Sequence, residues 1–86
     1  MNQALTNTPT ALAGVTAGTL YEIQNNSRHV VYIEEAAAAP SDPSGANRLH
    51  PSGSPLSVGR FRPTASVWVW VTGLHPDGAV VYNEAP

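Results

Sequence analysis

The stretch Ser66-Val67-Trp68-Val69-Trp70-Val71 predicts a β-strand with bulky apolar side chains on both faces. Successive side chains of a strand alternate, so the three valines lie on one face and the two tryptophans on the other. Continuous apolar runs of this kind are typical of strands that are covered on both sides. The chain has only 86 residues, too few to cover both faces by itself, so we expect a partner to cover one of them.

Working outward from this strand, short alternating segments separated by turn residues predict an all-β fold. The predicted strands are residues 19–24, 29–35, 56–60, 65–71 and 79–84. The first two are joined by Asn25-Asn26-Ser27-Arg28, which is typical turn chemistry and predicts a β-hairpin. A further turn is predicted at residues 73–78, with Asp77-Gly78 at its tip.

We therefore predict a small antiparallel β-sandwich or partly open barrel of five to six short strands. Residues 1–15 are expected to form an extended N-terminal arm, and residues 16–86 a single β-domain. Residues 40–55, rich in proline, serine and glycine, are expected to form a long central surface loop.

Composition narrows the classes of function. The chain has no cysteine, so no disulfide supports its small core, and oligomerisation is the remaining way to add stability. The net charge is −2 with no lysine, which argues against nucleic acid as a partner. No apolar segment is long enough to cross a bilayer and no secretory signal is visible, so we expect no membrane partner and synthesis in the cytoplasm.

No arrangement of residues typical of an active site stands out, and we predict no catalytic, cofactor-binding or metal-binding residue. Glu34 and Glu35 are adjacent in a predicted strand, so their carboxylates point to opposite faces and cannot share a substrate. His29, His50 and His75 lack the spacing of a metal site. We therefore expect a protein that is not an enzyme and needs no cofactor.

The tryptophan strand leaves three interpretations open. Trp68 and Trp70 could fill the core, with the valines covered by the chain's own loop or arm. One face could instead contact another protein, since aromatic residues are favoured at interface cores. The third interpretation is sugar binding by stacking on Trp68, Trp70 and Tyr82.

The chain contains two segments with a distinctive sequence. The first is Leu20-Tyr21-Glu22-Ile23-Gln24-Asn25, and the second runs from Val30-Val31-Tyr32-Ile33-Glu34-Glu35 into four alanines and Pro40. A proline-glycine loop, the tryptophan strand and a final Val81-Tyr82-Asn83-Glu84-Ala85 follow. In this order the elements resemble a pattern found in small structural proteins of tailed bacteriophages. The resemblance spans residues 16–85, although the His50-Pro51-Ser52-Gly53-Ser54-Pro55 loop matches only loosely.

The resemblance implies a virion protein, and above all a capsid decoration (cementing) protein on the capsid surface. Such a protein is expected to be a homo-oligomer, with a trimer favoured, and to bind across subunits of the major capsid protein. The alternative that it implies is a tail or fibre component that recognises host carbohydrate. The residues expected to contact other proteins are Leu5, Leu12, Arg62, Trp68, Trp70 and Tyr82.

Overall fold

The computed structural model describes residues 1–41, 45–73 and 78–85 and shows a β-sandwich, as predicted. Its eight strands are β1 (Asn2–Ala4), β2 (Thr10–Ala11), β3 (Tyr21–Asn25), β4 (Val31–Glu35), β5 (Asn47–Leu49), β6 (Val58–Phe61), β7 (Val67–Trp70) and β8 (Ala79–Glu84). Two antiparallel four-stranded sheets have the orders β1-β8-β3-β6 and β2-β7-β4-β5. We call them the first and the second sheet.

The core lies between the sheets and is built from the valine face of β7. Val67, Val69 and Val71 are buried there and belong to one cluster with Ile23 and Tyr82 of the first sheet. Trp68 and Trp70 therefore project from the outer face of the second sheet. The predicted separation of valines from tryptophans is confirmed, and the valine face is the one that the domain uses for its core.

The predicted hairpin between the first two long strands is wrong. β3 pairs with β6 and β8 in the first sheet, whereas β4 pairs with β5 and β7 in the second. The link at residues 26–30 therefore carries the chain from one sheet to the other. The turn chemistry of this link is real, but it makes an arch across the core instead of a tight connection within one sheet.

A buried side chain, Asn25, holds this arch in place. Its Nδ2 donates hydrogen bonds to the carbonyl oxygens of His29, Leu49 and His50 at 2.7, 3.1 and 2.9 Å. Its Oδ1 accepts hydrogen bonds from the backbone N–H and the hydroxyl of Ser27 at 2.9 and 2.6 Å. Asn25 thus ties the end of β3, the arch and the end of β5 together.

The start of β8 packs closely against the arch. Gly78 has a φ of +82°, and a Cβ atom added to it would lie 2.6 Å from Cβ of Ser27. Only glycine fits here, because a side chain would be strained by the backbone conformation and would collide with the arch. The predicted Asp77-Gly78 turn tip falls partly on residues 74–77, outside the described part of the chain.

Residues 1–15, predicted as an arm, lie along both sheets. β1 pairs with β8, β2 pairs with β7, and Leu5 and Leu12 are buried in the core. The segment 40–55, predicted as a loop, contains the short strand β5, whose Leu49 is buried in the same core. The short strands in these two segments raise the number of strands from the predicted five or six to eight.

Candidate functional site: the aromatic face of the second sheet

The outer face of the second sheet carries two rows of side chains, set by the pairing register. One row runs across β7, β4 and β5 as Trp70, Tyr32 and Arg48. The other runs across β2, β7 and β4 as Ala11, Trp68 and Glu34. These six residues are called the aromatic face below. Side chains directly opposite each other on neighbouring strands lie close enough to touch, so each row forms a continuous surface.

The first row is a stack that ends in a positive charge. The rings of Tyr32 and Trp70 have centroids 5.7 Å apart and are tilted by 30°. Cζ of Arg48 lies 5.6 Å from the centroid of the Tyr32 ring, within the range of a cation–π contact. Because Arg48 is itself exposed, its guanidinium is presented to solvent in an orientation that the tyrosine ring supports.

The second row is anchored through an indole. Nε1 of Trp68 donates a hydrogen bond of 2.9 Å to the carbonyl oxygen of Ala36, just after β4. The Trp68 ring remains half-buried, so part of it faces outward beside the half-buried Glu34. This hydrogen bond satisfies the polar atom of the indole and fixes the ring, and a fixed aromatic ring loses little conformational entropy when it binds a partner.

Trp70 differs from Trp68 because the single chain already covers it. Only 3% of its surface is exposed, although it projects from the outer face. The premise that the chain cannot cover both faces of this strand therefore fails at Trp70. What the aromatic face offers to a partner is chiefly Trp68, Tyr32 and Arg48.

The other predicted contact residues do not belong to this surface. Leu5, Leu12 and Tyr82 are core residues of the single chain, and a partner would reach them only if the domain opened. The hydroxyl of Tyr82 donates a 2.6 Å hydrogen bond to the carbonyl oxygen of Ala13 inside the domain. Arg62 is exposed, but it follows β6 of the first sheet. Sequence reasoning missed Tyr32 and Arg48 as neighbours of the tryptophans, because their proximity depends on strand pairing.

The carboxylates considered for catalysis have separate structural surroundings. Glu34 lies on the aromatic face, whereas the Glu35 carboxylate accepts hydrogen bonds from the Thr64 hydroxyl at 2.6 Å, from the Thr64 N–H and from the Ala65 N–H. The hydrogen bonds from the hydroxyl and N–H of Thr64 are the main cause that lowers the pKa of Glu35 below its ordinary 4.5. A carboxylate held in the charged form by these donors caps the turn after β6.

Within residues 1–41, 45–73 and 78–85, no three histidine or acidic side chains are grouped to hold a metal ion. The same part of the chain contains no helix with the length and apolar character needed to span a bilayer.

A cleft of about 200 Å³ opens between β5 and β6, with Ile23, Ile33, Leu49, Phe61 and Val67 among its lining residues. It is a gap between the two sheets on the side away from residues 1–11.

Comparisons with known proteins add no family to this geometry. No family model matches the chain, and no curated protein and no solved structure matches it.

Proposed function

We propose that this protein is a bacteriophage virion protein of the capsid decoration type, which binds the major capsid protein through the aromatic face. The observation that carries the proposal is the arrangement of Trp68, Tyr32 and Arg48 on one rigid sheet surface. Tryptophan, tyrosine and arginine are the residues that most often dominate the binding energy of protein interfaces. The resemblance of residues 16–85 to small tailed-phage proteins supplies the class of partner.

The residues that carry the resemblance are mostly structural. Tyr21, Ile23 and Asn25 are buried, and they fix β3 and the arch. Tyr32 and Glu34 are the members of the second motif that lie on the aromatic face, and Tyr32 contacts Trp70. The motif is therefore suited to preserving this sandwich and the tyrosine on its surface, which is what a scaffold for protein binding requires.

The proposed role is mechanical. A small domain bound across neighbouring capsid subunits adds buried surface that is lost when the subunits separate. Binding also stabilises the domain itself by mass action, since only the folded state presents the aromatic face. The binding energy therefore resists both the separation of the capsid subunits and the unfolding of this chain.

The test is co-sedimentation of the purified protein with empty capsids of the phage that encodes it. We expect saturable binding, and we expect Arg48→Gln to weaken it by about tenfold, the effect of roughly 1.4 kcal/mol. Gln24→Glu is the matched control, because it changes the net charge by the same amount on the outer face of the other sheet. Absence of saturable binding, or equal weakening by both variants, would contradict the proposal.

Trp68→Ala provides a second variant for the same assay. It should lower capsid binding while the thermal transition shows that the domain still folds, since the Trp68 ring is only half-buried. If Trp68→Ala binds capsids as the unmodified protein does, the aromatic face is not the contact surface.

The alternative is a tail or fibre component that binds host carbohydrate, and the exposed part of the Trp68 ring is the observation that favours it. Sugar stacking needs an accessible ring face, whereas Trp70 is almost fully covered and Arg48 lies over the Tyr32 ring. One ring remains for this purpose. A glycan array that shows specific binding lost in Trp68→Ala would favour the alternative over the capsid proposal.

A further inference from the structure

The edge strand β6 has backbone groups with which no other strand of the described residues pairs. The N–H of Asn25 donates a hydrogen bond of 2.8 Å to the carbonyl oxygen of Ser57, so Asn25 and Ser57 form a hydrogen-bonded pair. Two residues further along each strand, Ile23 lies opposite Gly59 and forms the next hydrogen-bonded pair. Hydrogen-bonded and non-hydrogen-bonded pairs alternate in antiparallel sheets. The N–H and carbonyl groups of Val58 and Arg60 therefore point away from β3, toward the open edge of the first sheet.

Exposed apolar side chains accompany this open edge. Among the described residues, the large hydrophobic side chains that are exposed are those of Met1, Leu56 and Val58. Val58 is 45% exposed within β6, and Leu56, 61% exposed, lies two residues before it. Proteins commonly protect edge strands with charged side chains or proline. β6 contains no proline, and its one charged residue, Arg60, forms an ion pair of 3.3 Å with Glu22.

The other edges are less suited to pairing. The edge strand β1 presents Asn2 and Ala4 at its free positions, since its odd-numbered residues bond β8. The edge strands β2 and β5 have two and three residues. β6 is the longest of the four edge strands and is the one that carries an exposed valine.

We propose that β6 pairs with β6 of a second copy of the chain in an antiparallel, two-fold arrangement centred on Gly59. The two free positions lie symmetrically about Gly59, so Val58 of each copy would hydrogen-bond the partner's Arg60. Such self-complementarity is what a two-fold interface requires. One chain supplies both halves of the pattern, so a second copy can fill this edge without a strand from another protein.

The side chains are compatible with this register. Val58 and Arg60 project from the outer face of the first sheet, where Arg60 forms an ion pair of 3.3 Å with Glu22 of its own chain. Because Glu22 neutralises each Arg60, two arginines brought near the two-fold axis need not repel strongly. Gly59 has no side chain, so the two backbones can approach at the axis as a non-hydrogen-bonded pair, with Cα atoms about 4.5 Å apart.

A pairing between such short edges buries little area, so the dimer should be weak by itself. Interfaces of less than about 1,200 Å² are typical of transient contacts. The association would strengthen wherever copies are held side by side on a common scaffold, because a high local concentration favours it. The inference does not depend on which scaffold this is, or on the proposed function.

Sedimentation equilibrium over a wide concentration range tests the pairing. We expect a reversible monomer–dimer equilibrium, with Val58→Lys raising the dissociation constant by about tenfold or more because it places a charge on the open edge. Ala4→Lys makes a comparable change at the β1 edge and should leave the equilibrium as it is. Circular dichroism and the thermal transition show that both variants remain folded.

A monomer at all concentrations, a trimer, or equal effects of the two lysine variants would overturn the proposal.

Single cysteine substitutions test the register, since the chain contains no other cysteine. Gly59→Cys should form a covalent dimer on mild oxidation, because paired Cα atoms at the axis lie within disulfide range, whereas Val58→Cys should not. The opposite result would overturn the register. A Cβ on Gly59 would lie 3.2 Å from the end of the flexible Leu49 side chain and 4.0 Å from Cγ2 of Ile23, so the substitution needs only a small shift of Leu49.

Discussion

Replacing Asn25 with alanine should destabilise the domain more than any other single change of a polar side chain in the described residues. Asn25 is completely buried, and its amide group takes part in five hydrogen bonds. Alanine leaves the carbonyl oxygens at the ends of these bonds and the N–H of Ser27 without this partner. The expected consequence is loosening of the arch that carries the chain from the first sheet to the second.

The magnitude follows from how many groups stay unsatisfied. The Ser27 hydroxyl keeps a second contact, to the carbonyl oxygen of His29 at 3.2 Å. If about two of the remaining buried groups find no new partner, the cost is roughly 1.5 kcal/mol for each partly buried group, in the lower part of the usual range, and the loss is about 3 kcal/mol. A domain of this size has a total stability of roughly 4–13 kcal/mol. We therefore expect the melting temperature to fall by roughly 10–25 °C.

The assay is urea denaturation followed by tryptophan fluorescence, with the slope of the transition compared between variants. Asn26→Ala is the matched control, because Asn26 is exposed and its backbone N–H keeps its bond to the carbonyl oxygen of Ala79. The control should cost less than about 0.5 kcal/mol. A loss below about 1 kcal/mol for Asn25→Ala would refute the assignment of the arch to this side chain.

Asn25→Asp tests the contribution of the Nδ2 donor separately from that of the Oδ1 acceptor. The new carboxyl keeps an oxygen for Ser27 but turns a second oxygen toward three carbonyl oxygens. Burial and these acceptors should raise its pKa above the unfolded value of about 3.9, because the charged form is disfavoured. Below about pH 3.9 the new carboxyl is neutral in both the folded and the unfolded state, so its ionisation does not change the free energy of unfolding. As the pH rises from there toward the folded-state pKa, the free energy of unfolding decreases. Stability equal to the unmodified protein at neutral pH would refute this reasoning.

The other predictions concern Trp70, Glu35 and Tyr82. Trp70→Ala should lower the free energy of unfolding by about 3 kcal/mol in urea denaturation, because the covered ring packs on Tyr32; unchanged stability with lost capsid binding would contradict this. The pKa of Glu35 is lowered, so the stability that its carboxylate contributes is present above pH 4.5 and is lost as the pH falls through the folded-state pKa. The melting temperatures of Glu35→Gln and of the unmodified protein should therefore converge in acid. A difference that stays constant with pH would contradict this. Burial raises the pKa of Tyr82 above 10.0, so the stability that it contributes is present below that pH and is lost as the pH rises through the higher value. Ultraviolet titration should show a late tyrosine ionisation that disappears in Tyr82→Phe, and its persistence in that variant would contradict the assignment. Tyr82→Phe should also lose about 1 kcal/mol of stability with the hydrogen bond to the carbonyl oxygen of Ala13.

The strands that could be predicted from the sequence are those that alternate over four or more residues. β8 has the predicted bounds, and the predicted bounds of β3, β4, β6 and β7 lie within two residues of those observed. β1, β2 and β5 are two or three residues long and mostly polar, so their own sequences carry no visible period. Their extended conformation comes from the long strands on which they pair, and pairing is not a local property.

The error at the arch has the same origin. Asn25 and Ser27 favour a turn whether the following strand joins the same sheet or the opposite one. What distinguishes the two is that Asn25 bonds to the carbonyl oxygens of Leu49 and His50, more than twenty residues further along the chain. An asparagine that appears suited to an exposed hairpin turn is thus a buried residue with partners in another strand. Sequence periodicity contains no information on such partners.

The candidate site could be predicted only as far as the alternation on β7. The alternation separated Trp68 and Trp70 from the valines, but the difference between the two tryptophans depends on what β4 and the rest of the chain place beside each ring. With Trp70 covered by the domain itself, the surplus apolar surface is smaller than the sequence suggested. The rest is divided between the Trp68 region of the second sheet and the Val58 edge of the first.

These two surfaces belong to different sheets and so need not compete for one partner. A flat aromatic face suits contact with a different protein, because its affinity comes from side chains that fill a complementary surface. An open strand edge suits contact with a copy of the same chain, because backbone groups arranged symmetrically about Gly59 complement themselves. If both proposals hold, Arg48→Gln should weaken capsid binding without changing the monomer–dimer equilibrium, and Val58→Lys should do the reverse. A variant that changes both would mean that the two surfaces form a single interface.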